Sequence, residues 1–354
     1  MSPPPASNII TQELSGGQVD GLLAKLISLL PYPIPLARRL QYHKRQPSST
    51  AHILLSYSLP PNGKHVLGDR PNADENKIAH LFPPDATWLA AYVDLATPGE
   101  TQGWLFASWE LPNSQPDAVI KQNLVYALFK HLYDNFVPAQ STEPTAEWLW
   151  LRDTGNYLSQ PYNRNKTIFG TVHEKVHQYF PPDAITRVDP SYEKYIFDSS
   201  THLMPPVSLP DSYVFGNMTD GLLQTVLDKS PIPRTLKTLK SLLNVSLYHG
   251  HRPIAWGFLG KDDSICSIHT EQEYRGRGFA VAVARELMDR QAKMLGEGAL
   301  AYTHADVSKS NAASNSVMKK LQGQVMWGVA WVEVDLERAL QTANTMSRST
   351  DQRA

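Results

Sequence analysis

The sequence predicts an α/β fold over residues 211–338, a mixed twisted sheet flanked by helices, preceded by an α+β half. Three observations lead there. Strand-like runs alternate with amphipathic runs of helical spacing through the C-terminal third. One of those strands runs through a glycine loop straight into a long helix, within Ser264–Leu295. Between the halves, Met204-Pro205-Pro206-Val207-Ser208-Leu209-Pro210 places three prolines in seven residues, where neither a helix nor a central strand fits. Residues 204–210 therefore read as a linker.

Residues 1–15 are rich in Pro and Ser and read as a loose start. The N-terminal domain is expected over 16–203. Leu22, Leu23, Leu26, Leu29 and Leu30 recur at helical spacing and predict a helix over Val19–Leu30. Ala51–Tyr57, Trp88–Leu95 and Gly103–Glu110 are rich in β-formers and bounded by Pro, Gly or Asn, as strands are. Ser114–Phe136 reads as a long helix, Glu147–Arg152 as a strand, Arg164–Tyr179 as a helix and Tyr192–Asp198 as a strand. This half carries no glycine-rich anion loop.

Past the prolines, Thr219–Lys229 and Pro233–Leu243 read as short helices. Val245–His249 and Pro253–Gly260 form a strand pair around Gly250-His251-Arg252, and Ser264–Thr270 is a third strand. Arg277–Leu295 is helical, with Ala280, Val283, Ala284, Leu287, Met288 and Leu295 on its apolar side. Leu300–Ala305 is a strand, Ser310–Leu321 a helix and Val325–Val334 a β-rich end, with a polar tail over 339–354.

Composition narrows the function classes. The 33 Lys and Arg nearly balance 34 Asp and Glu, so no overall basic field exists to hold nucleic acid or an anionic membrane. The single cysteine, Cys266, excludes an intramolecular disulfide and a cysteine-based zinc cluster; lying in an apolar-alternating run, it reads as structural. No window approaches the roughly 18 apolar residues of a membrane span. No targeting segment is recognised, so a soluble, cytoplasmic protein is expected.

The chemistry concentrates around Glu273-Tyr274-Arg275-Gly276-Arg277-Gly278-Phe279-Ala280. Two glycines one residue apart let the backbone turn sharply and approach a ligand closely. The helix that follows aims its unpaired N–H groups and its positive dipole end at that turn, and Arg275 and Arg277 add charge. These features describe a pyrophosphate cradle. It is not a Walker loop, since no Gly-Lys-Ser/Thr follows, nor a full dinucleotide fingerprint.

This loop, the long helix and strand after it, and Asn311-x-x-Ser314 opening a helix that ends in Lys319-Lys320-Leu321 together resemble the coenzyme A site of the GNAT superfamily of N-acyltransferases. The resemblance implies that Arg275, Gly276, Arg277, Gly278, Phe279 and Ala280 hold the pyrophosphate of an acyl-CoA or acetyl-CoA donor, and that Asn311 and Ser314 lie along its pantetheine arm. Pro253-Ile254-Ala255-Trp256, Glu273-Tyr274-Arg275-Gly276 and Tyr302-Thr303-His304-Ala305-Asp306 further resemble the glycine N-acyltransferase (FR47-like) branch. That implies transfer to the amine of an amino acid or other small molecule, without a metal. Members of that branch carry a diverged N-terminal half, so residues 16–203 are expected to be a degenerate copy of the same fold, shaping the acceptor site or making a homodimer contact.

Such a transfer needs an oxyanion site and a base. The resemblance implies a bulge in the Ile265–Thr270 strand, with Ile268 and Thr270 as backbone donors. The glutamate used as base in the glycine N-acyltransferase branch corresponds to Ser264 here, beside Asp263. The candidates left are His269, His304, Asp306 and Glu271, with Asp306 also placed to orient His304. The tyrosine that donates to the leaving thiolate in many GNAT enzymes corresponds to Met318, which leaves Tyr302 or water for that step.

Two rival classes stand beside this reading. A non-catalytic acyl-CoA-binding protein of the same fold is compatible with Ser264. His173-Glu174-Lys175-Val176-His177 matches the H-E-x-x-H pattern of zinc metallopeptidases, although no third ligand is evident nearby. Arg234, Lys237 and Lys240 form a small basic face, read as solvated.

Overall fold

A computed structural model of the chain describes residues 9–58, 82, 86–154, 158, 161–189, 191–198, 209–230, 232, 234–296 and 302–341. Two compact units emerge. The first comprises residues 1–148, 159–189 and 330–354, the second 149–158 and 190–329.

In chain order the elements of the N-terminal half are β1 (Ile9–Glu13), α1 (Gly17–Ser28), α2 (Ile34–Arg45), β2 (Ala51–Ser58), β3 (Trp88–Asp94), β4 (Gly103–Ala107), α3 (Ala118–Asn135), α4 (Ala146–Thr154), β5 (Lys166–His173), α5 (Glu174–His177) and β6 (Ile185–Val188). Strands β1 to β4 form an antiparallel run, and β4 meets β5 in parallel where Gly103 faces Phe169. The returning segment Val332–Val334 pairs with β6.

Both faces of this sheet are covered, which is why its strands read as unbroken apolar runs. On β2 and β3, Leu54, Leu89, Ala91 and Val93 face Leu124, Leu128 and Phe129 of α3. The alternate residues Leu55, Trp88, Ala90 and Tyr92 face Leu22, Leu26 and Leu40 of α1 and α2.

The N-terminal half ends in β7 (Tyr192–Asp198), and the elements of the C-terminal half are β8 (Tyr213–Gly216), α6 (Leu223–Lys229), α7 (Leu236–Ser241), β9 (Asn244–His249), β10 (Arg252–Leu259), β11 (Ile265–Thr270), α8 (Phe279–Leu295), β12 (Tyr302–Ser308), α9 (Ala312–Lys320) and β13 (Gln324–Asp335). Strands β8 to β11 form an antiparallel meander in that order. In the other sheet β7 lies between β12 and the first part of β13. Helix α8 buries Phe279, Val283, Ala284 and Leu287 against Val245, Leu247, Ile254, Ala305 and Val307. Each half of the chain thus contributes a strand to the unit built mainly from the other: β7 to the second unit, and the end of β13 to the first.

Several expectations are corrected. Glu147–Arg152 is helical; Trp148 and Leu151, three apart, are its buried residues, a spacing that the Trp/Leu alternation disguises as a strand. Arg164–Tyr179 is chiefly β5, buried along nearly its whole length, followed by a four-residue helix. Within the supposedly loose start, Ile9–Glu13 is a strand paired with β2. Helix α2 went unrecognised because Pro31, Pro33 and Pro35 crowd its start, yet proline is tolerated in the first turn. Strands β6 and β8 were also missed. Met204–Ser208 of the proline-rich segment lies outside the described residues.

Candidate functional site

The glycine loop takes the form its sequence suggests. After β11 a short 3-10 turn, Gln272–Tyr274, leads to Gly276 and Gly278, whose φ angles are +80° and +81°. Both lie in the left-handed region that glycine enters at no steric cost. Gly278 is the N-cap of α8, and no side chain caps that helix. The first backbone bond at its start runs from Ala282 N to Gly278 O at 3.0 Å. The amides of Phe279, Ala280 and Val281 precede it and point out of the helix end. Space beside both glycines is open, with nothing within 4 Å of where a Cβ would stand. The Phe279 side chain is buried against Tyr213, so the residue contributes its amide rather than its ring. Arg275 donates from Nε to Thr270 O at 3.0 Å, and Arg277 stacks over Tyr274. An uncapped helix end of 17 residues, two left-handed glycines and two exposed arginines fit a pyrophosphate.

Strand β11 carries a bulge. Trp256 pairs with His269 and Phe258 with Cys266, so Ser267 and Ile268 together face Gly257. Ser267 has φ +51°, the backbone signature of the extra residue. A Cβ on Gly257 would stand 2.9 Å from Leu287 and 3.3 Å from the Ile268 side chain. Ile268 therefore faces α8, and His269 points to the opposite side, stacked on the Trp256 indole at 4.4 Å. Glu271 N donates to Ile254 O at 2.8 Å. The alternation of an antiparallel ladder then turns the Thr270 amide away from β10, toward the outer side of β11. Strand β11 ends its sheet and β12 ends the other; the two are not paired.

His269 sits in a charged setting. Its Nε2 lies 3.7 Å from Glu271 Oε2, and Glu271 is itself bound by Lys229. Burial lowers the His269 pKa, with Glu271 working against it and Lys229 with it. Burial pushes the Glu271 carboxyl up, but its bond to Lys229 and the His269 ring outweigh this and hold it below the usual range.

His304 and Asp306 are placed differently from the expectation. His304 is 0% exposed, and both ring nitrogens are engaged: Nε2 donates to Asp262 O at 2.9 Å, and Nδ1 lies 3.1 Å from Lys194 Nζ. The Lys194 ammonium, also fully buried, binds Asp306 at 2.7 Å. Asp306 thus neutralises Lys194 instead of orienting a base, and His304 offers no nitrogen to a substrate. Gln291 extends the network, donating to Asp263 O at 2.8 Å and accepting from Thr303 at 2.6 Å. Asp262, His304 and Asp306 could together hold a metal ion, but the Lys194 ammonium already supplies positive charge among them.

Comparison with known proteins fits this geometry. A family model described as the acyl-CoA N-acyltransferase verG N-terminal domain matches residues 6–195. The chain belongs to the acyl-CoA N-acyltransferase family. An FR47-like protein model matches residues 247–332, which include the loop and the bulged strand. An X-ray structure of a Drosophila protein is 12% identical, covering 92% of this chain and 98% of that one at a TM-score of 0.57; at that identity it speaks for the fold alone. A tandem GNAT protein from the clavulanic acid biosynthesis pathway (8% identity, 93% and 99% covered, TM-score 0.48) and a GCN5-related N-acetyltransferase from Sphaerobacter thermophilus (11%, 93% and 96%, 0.45) are also similar. A comparison with curated protein sequences gives no match.

The chain has a GNAT-type mixed sheet flanked by helices, and its first unit repeats the second's order of antiparallel strands, long helix and further strand. The repeat is incomplete at the helix start. In the first unit Asp117 caps α3, its carboxylate accepting from Val119 N at 2.7 Å. A carboxylate already fills the position an anion would take. Calorimetric titration is therefore expected to give one acyl-CoA per chain; two equivalent sites would contradict this.

Asn311 is the N-cap of α9 and accepts from Ser314 N at 3.0 Å, so the pair fixes the helix start next to β12. Met318 is buried in the core. Ser264 bonds Asp262 at 2.6 Å. Arg234 donates to Ser267 Oγ at 2.9 Å, and Lys240 pairs with Asp220. His173 ends β5 and caps the following turn by accepting from Lys175 N, whereas His177 lies within the four-residue helix. The H-E-x-x-H run therefore never occupies one helix, and it is absent from the potential metal-binding groups among the described residues. Lys229 and Lys194 escaped the sequence reading, which named Trp256 only within the Pro253–Trp256 segment; a lysine in a strand carries no mark of burial. No helix among the described residues is long and apolar enough to cross a membrane.

Proposed function

We propose that the second unit transfers an acyl group from an acyl-CoA to the amine of an amino acid or other small molecule, with His269 as general base. The observation that carries this reading is the side-by-side arrangement of an uncapped, glycine-started helix and a bulged edge strand bearing His269. The coenzyme's pyrophosphate rests on the Gly276–Ala280 amides. The thioester carbonyl lies at the bulge, where the outward Thr270 amide, with Ile268 beside the interruption, stabilises the oxyanion. Such a donor typically contributes a few kcal/mol. The amine nitrogen attacks the carbonyl carbon, forming the C–N bond. His269 Nδ1 takes the amine proton while the C–S bond breaks and the coenzyme leaves as thiolate. Glu271, facing Nε2, positions the ring and stabilises its protonated form.

The pH dependence follows from the base. His269 must be neutral to accept a proton, and burial holds its pKa below the ordinary 6.5. Activity is expected to persist through neutral pH and to fall only as pH drops below the usual imidazole range. His269→Ala is expected to lower kcat by roughly 100-fold and abolish that acidic limb. Thiol release, followed against pH with a panel of amines, checks both; an unchanged profile in the variant would remove His269 from the mechanism. Ser264, in the position of the branch's glutamate, favours a second reading, an acyl-CoA-binding protein without turnover. That reading predicts saturable binding and no thiol release with any amine.

A further inference from the structure

The second unit has a groove of about 720 Å³ whose lining includes Glu193, Tyr195, Lys309, Asn315, Ser316, Lys319 and Lys320. Lys309, Lys319 and Lys320 make no ion pair among the described residues, in a chain whose net charge is only −1. Their convergence is therefore local and not a by-product of a basic protein. Lysines in the last turn of a helix complement its dipole, which accounts for Lys319 and Lys320. It does not account for Lys309, which precedes the helix. The floor between them is fixed. Tyr195 donates to Asn315 Oδ1 at 2.9 Å, and the Asn315 amide donates to Ser308 O at 3.0 Å and Asn311 O at 2.9 Å.

The groove is not the coenzyme cradle. At ~100° per residue, Ser316 and Lys319 lie roughly a quarter to nearly half a turn around α9 from Asn311, Ser314 and Met318, with Asn315 between the two faces. Three ammonium groups against Glu193 leave a net charge of +2, matching a phosphate monoester at about −2. The volume falls within the roughly 300–1,000 Å³ of small-molecule sites and exceeds what inorganic phosphate needs. We propose that this groove binds a phosphate-bearing small molecule, at a site separate from that of the acyl donor.

Calorimetric titration of glucose 6-phosphate and of inorganic phosphate, as probes, into protein saturated with coenzyme A tests this. One further molecule of the sugar phosphate per chain is expected to bind, more weakly at high salt. Lys309→Ala/Lys319→Ala is expected to weaken it about tenfold or more, leaving coenzyme A affinity unchanged. Repeating the titration without coenzyme A keeps the result independent of the cradle. Absence of binding in both titrations, equal binding by the double variant, or displacement of the probe by coenzyme A would each overturn the proposal.

Discussion

Gly278→Val is expected to abolish acyl-CoA binding while the chain stays folded. The residue holds φ at +81°, where a β-branched side chain is strained even in open space. Relief of that strain, about 1–2 kcal/mol, would swing the helix start out of the left-handed turn. The amides of Phe279, Ala280 and Val281 would then no longer converge on one anion. Hydrogen bonds to a charged group are each worth about 1.5–3 kcal/mol, so losing two of them costs roughly a hundredfold to ten-thousandfold in affinity. Titration with acetyl-CoA reads the loss, and circular dichroism verifies the fold. Wild-type affinity in a folded variant would take the cradle out of the mechanism.

The second large effect is expected at Lys194. Its ammonium is fully buried between Asp306 and His304, and the network continues through Asp262 to the start of β11. Lys194→Met leaves the Asp306 carboxylate buried without its counter-ion, a change that typically costs about 3–5 kcal/mol. The loss should appear in the denaturant transition of the second unit. Lys194→Met/Asp306→Leu should recover much of it, because removing both partners leaves no uncompensated charge. A single variant as stable as the wild type would refute the structural role given to this pair.

These two residues differ in how legible they were. Gly278 belongs to one contiguous run, Arg275–Ala280, in which the turn, the helix end and the charge are all local properties of the chain. Lys194 meets His304 across 110 residues, and its strand sits between β12 and β13 only once the sheet is assembled. In isolation, Tyr-Glu-Lys-Tyr-Ile-Phe reads as an ordinary half-exposed strand. His304 and His269 are equally instructive. Each stands in a strand near a polar or acidic residue, and their sequence surroundings do not rank them. Pairing ranks them, since one is enclosed by Lys194 and Asp262 while the other is only half-buried, stacked on Trp256 in a bulged edge strand.

Local errors had local causes. The Trp/Leu alternation of Glu147–Arg152 satisfies a period of two and a spacing of three alike, and tertiary burial selected the helix. Within Lys166–His173 the β-branched residues Thr167, Ile168, Thr171 and Val172 are interrupted by Phe169-Gly170, and pairing in the sheet selected the strand over the expected helix.

By itself the sequence determined the order of most elements, the coenzyme loop and the family whose pattern that loop shares. Those features depend on backbone freedom, helix-end donors and spacing along a few consecutive residues. Tertiary structure alone decided which face of β11 carries His269, that His304 is enclosed, and that β7 and β13 each complete a unit built mainly from the other half of the chain. Register, burial and strand exchange depend on contacts between residues from about a dozen to well over a hundred positions apart, and no local pattern encodes which of them will meet.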